Sequence, residues 1–461
     1  MLYRSSRFLL GFSLALVFVA CGDDSAGPGA PPPPANPRDA AVDLPDSGVP
    51  VVPPAISRCE ADAPVQIGEI DEEAISKPDG VDVIAHPNNP GEFLVVTAQP
   101  HCPEAPEGNC DGMTQTGPET WVRRRALLYS VSEQAGAAPN GPHMVNLGVV
   151  QGLVSFTATT EPRLAVSGGN VIVAWLDTTD FQPRNVWAAA VNASTLEPLG
   201  GQNRISEIAA SEDIPSASWR AASKLHVIAG SSSVDVVYQV YGRDDAAPTL
   251  HAATISPSTG QRVGANRDLG EIAHSEGSHD AIRNAAGEIV FGRTERLEGT
   301  ECSFKLARLG EEAEAVEEDK SGGPCSDIAM ANGGTVYVTD NGGSLRFRPL
   351  GAAGTPIGRE RKLLEMPRGT KASRPAIAAF TNGFFVTFIE TSADGERLRG
   401  LIVDAQGGVI SEETLLNEPR REMSAPSIAI TQGGNTIAIA WKDRFGATTN
   451  HRTNLLRVRC E

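Results

Sequence analysis

The chain has 461 residues and a formal net charge of −18 at pH 7, because 57 Asp and Glu outnumber 39 Lys and Arg. This charge disfavours binding to nucleic acid and close contact with an anionic membrane surface. Roughly 400 residues follow a proline-rich N-terminal region, more than one conventional hydrophobic core holds. The length therefore favours either several domains or one repeat architecture.

Residues 1–20 have the three parts of a secretory signal peptide. Arg4 and Arg7 supply the positive charge, and an apolar run from Phe8 to Val19 follows. The run is too short for a membrane-spanning helix, which needs about 20 apolar residues. These residues are predicted to be a signal that is removed on export.

The end of this signal resembles the lipobox of bacterial lipoproteins, with the sequence Phe18-Val19-Ala20-Cys21. Phe18 stands where that family usually has leucine. The resemblance implies cleavage before Cys21 and attachment of fatty acyl chains such as palmitate to it. Each buried CH₂ of those chains contributes about 0.8 kcal/mol to membrane attachment. An ordinary signal peptide with an incidental cysteine is the alternative.

The position of the first acidic residues bears on the compartment. Asp23 and Asp24 lie one place later than the aspartate that retains enterobacterial lipoproteins in the inner membrane. By this resemblance we expect a lipid-anchored protein of the outer membrane, on either the periplasmic or the cell-surface side.

Residues 21–57 begin with the lipidated cysteine and continue as a proline-rich segment. Ten prolines lie between Pro28 and Pro54, with Gly, Ala, Ser and Asp between them. Such a composition cannot form a core and favours extended polyproline II structure, at about 3.1 Å per residue. We predict a disordered tether; a ligand for a proline-binding domain is the alternative.

Six cysteines other than Cys21 indicate disulfide bonds in an exported protein. They are Cys59, Cys102, Cys110, Cys302, Cys325 and Cys460. Six cysteines allow 15 pairings, so the sequence alone does not fix one. Closeness in the chain favours Cys102–Cys110 and Cys302–Cys325, which leaves Cys59 to pair with Cys460.

Residues 58–461 contain an internal repeat of β-hairpins. In each copy a short apolar strand leads through a glycine turn to a second strand of alternating pattern. Seven copies can be aligned, at residues 83–96, 162–177, 225–238, 281–291, 328–338, 375–390 and 426–443. Two further strands follow the hairpin, as at Leu398–Asp404 and Glu413–Leu416. Four strands in a unit of about 50 residues are typical of a β-propeller blade.

The last unit lacks a fourth strand, and the N-terminus supplies a candidate for it. The chain ends at Glu461, directly after a predicted third strand from His451 to Arg459, while Pro64–Ile70 precedes the first blade. Pairing these two strands closes the ring and removes two exposed sheet edges. The sequence therefore predicts an all-β, seven-bladed propeller closed by its terminal strands, with Cys59 and Cys460 side by side. Six or eight blades, or an array of β-sandwiches, are the alternatives.

No sequence motif for catalysis, cofactor binding or metal binding is present. The eight histidines lie in no metal motif; His274 and His279, with Glu276 and Asp280 nearby, are interpreted as a solvated loop rather than a metal site. The acidic run from Glu311 to Asp319 is interpreted as a solvated surface turn. The recurring acidic residues Asp177, Glu390 and Asp443 favour a structural role over catalysis. We therefore predict no enzyme activity, no catalytic residue, no cofactor and no metal.

The repeat region resembles bacterial surface and periplasmic propellers in general. That resemblance implies a monomeric cell-envelope protein that binds a protein or a glycan, or acts as a scaffold, and does not bind nucleic acid. Two alternatives remain: a propeller hydrolase or lyase acting on polysaccharide, and an outer-membrane assembly factor. A cluster of titratable groups around the central channel would favour the hydrolase or lyase.

Overall fold

The computed structural model describes most of the repeat region. The described residues are 58–461, apart from the segments 72–79, 101–123, 146–159, 178–184, 209–220, 242–247, 272–277, 297–301, 310–312, 322–326, 340–341, 417, 432–433 and 445–449. The signal peptide, Cys21, the tether and the cysteines Cys102, Cys110 and Cys325 lie outside the described residues.

The described chain is all-β and forms a seven-bladed propeller, as predicted. Two short strands open it: β1 (Cys59–Ala61) and β2 (Val65–Asp71). Six consecutive four-stranded meanders follow. Blade 1 contains β3 (Val81–Ala85), β4 (Glu92–Pro100), β5 (Arg124–Ser132) and β6 (Asn140–Met144); blade 2 contains β7 (Thr160–Ser167), β8 (Asn170–Asp177), β9 (Asn185–Asn192) and β10 (Asn203–Arg204).

The next four blades repeat this order along the chain. Blade 3 contains β11 (Ala221–Ala229), β12 (Val234–Tyr241), β13 (Thr249–Ile255) and β14 (Arg262–Glu271), and blade 4 contains β15 (His279–Arg283), β16 (Ile289–Arg296), β17 (Cys302–Leu309) and β18 (Ala313–Ser321). Blade 5 contains β19 (Ile328–Ala331), β20 (Gly334–Thr339), β21 (Ser344–Pro349) and β22 (Arg361–Glu365), and blade 6 contains β23 (Lys371–Phe380), β24 (Gly383–Ser392), β25 (Gly395–Asp404) and β26 (Val409–Thr414).

Blade 7 joins the two ends of the propeller. It contains β27 (Ser427–Ile430), β28 (Thr436–Arg444) and β29 (His451–Cys460). The outer edge of β29 pairs with both N-terminal strands: β1 lies against its C-terminal end and β2 against its N-terminal half. Cys59 lies directly opposite Cys460 in this register, and the two form a disulfide. The predicted closure and the predicted pairing of these two cysteines are both confirmed.

The hydrophobic core is divided among the seven interfaces between neighbouring blades. Buried residues of blades 2 and 3 pack into one cluster, and those of blades 7 and 1 into another. The remaining five clusters fill the other interfaces in turn. Each inner strand contacts the inner strand of the next blade, and the contact of β27 with β3 completes the ring. Stability therefore depends on every blade having two neighbours.

Local sequence explains why these hairpins form. In blade 6, β24 begins with Gly-Phe-Phe-Val-Thr-Phe-Ile. Its aromatic and β-branched residues favour a pleated, half-buried strand. Phe380 pairs with Gly383 across a two-residue turn. Trp175 and Trp441, which end the second strand's apolar pattern in blades 2 and 7, are fully buried.

The interpretation of the acidic run from Glu311 to Asp319 as a surface turn is wrong for its described part. Ala313–Ser321 is the outer strand of blade 4. Its backbone pairs with β17 from Cys302 to Leu309. The backbone groups on the edge of β17 need hydrogen-bond partners, and this requirement outweighs the low strand propensity of the acidic residues.

Among the described residues no helix is long and apolar enough to span a membrane.

Candidate functional site

The first and middle residues of the seven inner strands surround a cavity on the propeller axis. Its volume is about 630 Å³. Residues of β3, β7, β11, β15, β19, β23 and β27, or directly before them, line it. Strands alternate in direction within each blade. The face where the inner strands begin therefore also carries the connections from second to third strands and those that enter the next blade. The cavity is the mouth of the central channel.

Two aspartates in the cavity wall join adjacent blades. Asp82 Oδ2 accepts the backbone N–H of Leu164 in blade 2 at 2.7 Å. Asp280 Oδ2 accepts the backbone N–H of Met330 in blade 5 at 2.7 Å. The other oxygen of each aspartate accepts the N–H of the following residue and contacts the blade before it, through Ser427 in one case and His226 in the other.

Two further carboxylates make the same kind of contact. Asp327 Oδ2 accepts the backbone N–H of Arg374 at 2.8 Å, which joins blade 5 to blade 6. Glu161 Oε2 accepts the N–H of Leu225 at 3.4 Å, which joins blade 2 to blade 3. The four carboxylates of the wall that the structure describes therefore all satisfy backbone donors across blade interfaces, which is a structural role.

Three charged residues of the wall have an unusual backbone conformation. Glu161, Lys224 and Arg374 have φ angles of 49°, 50° and 49°. Each lies at a β-bulge, where the register of its inner strand shifts against the second strand of the blade. A left-handed conformation is unfavourable for residues with a side chain, and bulges re-aim side chains near functional sites. The fold thus places these three residues in the wall at an energetic cost.

Arg163 follows one of these bulges and extends across three blades. Its Nε donates to the carbonyl oxygen of Leu225 at 3.3 Å, and its Nη1 donates to those of Val81 and Pro162 at 3.4 and 3.2 Å. Arg374 Nη1 donates to the carbonyl oxygen of Met423 and to Glu396 Oε2, the latter at 3.4 Å.

A chain of hydrogen bonds joins Asp280, His226 and His279. Asp280 Oδ1 lies 3.2 Å from His226 Nδ1, and His226 Nε2 lies 2.7 Å from His279 Nδ1. With Asp280 ionised, Nδ1 of His226 carries its proton and Nε2 accepts from His279. His279 Nε2 is then unprotonated, and this buried atom has no hydrogen-bond partner among the described residues.

Burial dominates the electrostatics of this wall. It raises the pKa of Asp82, against the opposing effect of Arg163 and of the hydrogen bonds to Asp82. It lowers the pKa of Lys224, although Glu161 and Asp327 act in the other direction. Burial and, to a lesser degree, the neighbouring His226, Lys224 and Arg293 hold the pKa of His279 well below its usual range. Charged forms are therefore disfavoured at these positions.

The structure brings few of the sequence-predicted residues to the cavity. Cys59 and Cys460 lie in the outer part of blade 7; Cys302 begins β17, and its partner candidate Cys325 lies outside the described residues. His274 is also undescribed. His279 and Asp280 begin β15 and line the cavity, so interpreting these two residues as part of a solvated loop was wrong. Among the residues that the structure describes, no group of three His, Cys, Asp or Glu side chains is arranged to hold a metal ion.

Sequence reasoning missed the other charged residues of the wall. One signal was present in the repeat: Pro162, Pro375 and Pro426 occupy equivalent positions before the hairpin. The residue that follows each proline lines the cavity, and it varies from Arg163 to Ala376 to Ser427. Positions that differ inside an otherwise regular repeat thus indicated the site.

Comparison with known proteins gives structural neighbours only. No protein-family model and no curated protein matches the sequence. A sialidase from Trypanosoma rangeli aligns at 11% identity with a TM-score of 0.42, covering 66% of this chain and 55% of the sialidase. An endo-arabinase from Bacteroides thetaiotaomicron aligns at 7% identity with a TM-score of 0.33, covering 84% and 96%. BamB from Moraxella catarrhalis aligns at 10% identity with a TM-score of 0.32, covering 86% and 97%.

Proposed function

We propose that this protein is a lipid-anchored cell-envelope lipoprotein whose propeller binds a glycan at the channel mouth without cleaving it. This proposal rests on the hydrogen bonds of the four described carboxylates in the wall. Asp82, Glu161, Asp280 and Asp327 each accept a backbone N–H of the neighbouring blade. A catalytic carboxylate has to exchange a proton or attack the substrate, and these contacts restrain the groups that would do so.

The size and polarity of the cavity support binding. Small-molecule sites typically have volumes of about 300–1,000 Å³, and this one has about 630 Å³. Ionisable side chains line it on blades 1 to 6, from Asp82 to Arg374. Such a wall suits a hydroxylated ligand, because a sugar supplies both hydrogen-bond donors and acceptors.

The proposed anchor accounts for the N-terminal region. A lipid on Cys21 and a tether to residue 57 would hold the propeller at the envelope surface. We place the protein at the outer membrane. Metabolic labelling with a palmitate analogue tests the anchor: the wild type should be labelled and the Cys21→Ser variant should not.

The binding proposal is tested with the full-length protein in liposomes and a panel of purified envelope and extracellular polysaccharides. Two readouts are taken from each mixture: co-sedimentation of the polysaccharide, and release of reducing ends or unsaturated products. We expect co-sedimentation with one class of polysaccharide and no release. Absence of binding across the panel would contradict the proposal.

A polysaccharide hydrolase or lyase is the second candidate, favoured by the chain from Asp280 through His226 to His279. A carboxylate that fixes a histidine tautomer is the arrangement of many general bases. Here, however, His279 Nε2 is buried. Product release in the same assay that is lost in a His279→Gln variant would establish this function instead.

A further inference from the structure

A pair of histidines joins blades 3 and 4 at the channel mouth. His226 of β11 lies against His279 of β15, with Nε2 of His226 2.7 Å from Nδ1 of His279. Asp280 Oδ1 lies 3.2 Å from His226 Nδ1, and Asp280 Oδ2 accepts the backbone N–H of Met330 in blade 5. The histidine pair is therefore connected to three consecutive blades.

The short distance between the two rings determines where their protons lie. At 2.7 Å the facing nitrogens share one proton, because two protons would collide and none would leave two lone pairs opposed. The second ring proton is on His226 Nδ1, where it is donated to Asp280. A neutral pair has two ring protons, so both are placed and His279 Nε2 carries none.

Any further proton must bind at His279 Nε2. This atom is buried and has no hydrogen-bond partner among the described residues. The ring of His279 packs against Phe291, with the ring centroids 5.1 Å apart, and the residue is 7% exposed. A charged ring with an unpaired buried N–H is unfavourable. Protonation of the pair therefore favours conformations in which the contact between the two rings is broken.

The charged groups around His279 act in the same direction. Burial, then His226, Lys224 of β11 and Arg293 of β16, hold the pKa of His279 well below its usual range. Carboxylates act on the neighbours of His279: Asp280 on His226, and Glu161 and Asp327 on Lys224. The closed pair is thus the form that rejects a further proton, and an opened pair accepts it more readily.

The other end of the same interface is held by a contact that does not depend on histidine. Arg283, at the end of β15, donates from Nε to the carbonyl oxygen of Ala229 at 2.8 Å and pairs with Asp235 of β12. An arginine guanidinium stays protonated in proteins. Loss of the histidine contact should therefore open the interface at the channel mouth while its other end stays joined.

We propose that His226 and His279 form an acid-sensitive clasp between blades 3 and 4, closed at neutral pH and opened by mild acid. Opening changes the shape of the channel mouth, because β11 and β15 both line the cavity. It also loosens the hold of Asp280 on blade 5. The clasp is a property of the ring and does not depend on what the cavity binds.

Hydrogen–deuterium exchange of the full-length protein in detergent, at pH 7 and pH 5.5, tests the clasp. Labelling times are scaled to the intrinsic exchange rate at each pH. Peptides from β11 and β15 report opening of the interface, and Met330, whose N–H donates to Asp280, reports its spread to blade 5. The reference is Arg374, whose N–H donates to Asp327 at another interface.

Exchange from β11, β15 and Met330 should become faster at pH 5.5 by up to about tenfold. Opening takes up one proton, and pH 5.5 lies about one unit below the usual pKa of histidine, which is about 6.5. The exchange rate of the Arg374 reference should change less, because Asp327 rather than a histidine makes that contact.

Substitution of His279 identifies the group that responds to acid. His279→Gln should abolish the acceleration, because glutamine can donate to His226 Nε2 but takes up no proton. His251→Gln is the matched control and should respond like the wild type: His251 lies in blade 3 and stacks on Tyr238, in the core cluster shared with blade 2. Thermal unfolding at pH 7 confirms that each variant is folded, and His279→Asn serves if His279→Gln is not.

Three results would overturn the inference. Equal scaled exchange of β11 and β15 at the two pH values would exclude an acid-sensitive contact. Acceleration that persists in the folded His279 variant would exclude the histidine pair as its origin. Acceleration of the same size at Arg374 would mean that protonation of carboxylates throughout the wall, and not the clasp, causes the effect.

Discussion

At the scale of single residues, the recurring acidic position after each hairpin has a structural partner. Asp443 is fully buried and accepts hydrogen bonds from Arg452 Nε at 2.7 Å and Trp441 Nε1 at 3.4 Å. Glu390 occupies the equivalent position in blade 6 and pairs with Arg399. The sequence predicted a structural role from recurrence, and in these two blades the partner is an arginine on the neighbouring strand.

Replacing Asp443 by alanine should strongly destabilise the propeller. The substitution leaves Arg452 largely buried without its carboxylate, and breaking a buried pair in this way lowers the free energy of unfolding by about 3–5 kcal/mol. Asp394→Ala is the matched control: its side chain is 77% exposed and lies 3.9 Å from Arg397, so a change below about 1 kcal/mol is expected. Urea denaturation measures both, and equal effects would contradict this account.

His279 should make stability depend on pH in the mildly acidic range. Its pKa lies well below the usual value of about 6.5 in the folded protein because it is buried. The unfolded chain therefore binds the proton more readily, so stability is complete above pH 6.5 and falls as the pH decreases below it. The slope is at most about 1.4 kcal/mol per pH unit for one group.

A His279→Gln variant should show a shallower loss of unfolding free energy between pH 7 and pH 5. His86→Gln is the comparison, because the pKa of His86 is also lowered by burial, but less so than that of His279. Identical slopes for the wild type and His279→Gln would show that His279 does not carry this dependence.

At the scale of elements, the bulges of the inner strands should reverse the usual stability order of glycine and alanine. In an ordinary strand, glycine is less stable than alanine by roughly 0.5–1 kcal/mol. At Lys224, with φ of 50°, a residue with a Cβ is strained by about 1–2 kcal/mol that glycine avoids. Lys224→Gly should therefore be more stable than Lys224→Ala, since both remove the same charge. At Ser223, the preceding residue, the alanine variant should be more stable than the glycine variant. If alanine is the more stable substitution at both sites in urea denaturation, backbone strain at Lys224 is excluded.

The hairpins were predictable from sequence, and the wall of the cavity was not. Period-two apolar residues and glycine turns gave seven copies with nearly the observed bounds, because burial between blades constrains those positions in every copy. The bulge at Arg374 leaves no such trace: Lys371-Ala372-Ser373-Arg374-Pro375 has no apolar period, and left-handed φ at a non-glycine residue has no sequence signal. Contacts such as Asp82 to Leu164 join residues 82 positions apart, and only the ring brings them together.

At the scale of the whole molecule, ring closure depends on a single interface between the chain ends. The seven core clusters form a cycle, so opening one interface exposes the apolar faces of two blades. In the described part of the chain, blade 7 alone combines strands from both ends of the repeat region, because β1 and β2 complete the sheet of β27, β28 and β29. The Cys59–Cys460 disulfide joins residues 401 positions apart at this edge. It is placed where fraying of either terminus would begin.

Removing this bond should lower the free energy of unfolding by about 6 kcal/mol in the chain-entropy model, because a closed loop that joins residues 401 positions apart strongly restricts the unfolded chain. The variant Cys59→Ala/Cys460→Ala and the wild type are compared by urea denaturation, each with and without dithiothreitol. Without reductant, the wild type should be more stable by this amount. A difference below about 1 kcal/mol would mean that backbone pairing of β1 and β2 with β29 suffices to hold the ring closed. In dithiothreitol, a loss of stability that the variant also shows comes from cysteines other than Cys59 and Cys460. The loss of stability that only the wild type shows measures the contribution of the Cys59–Cys460 bond.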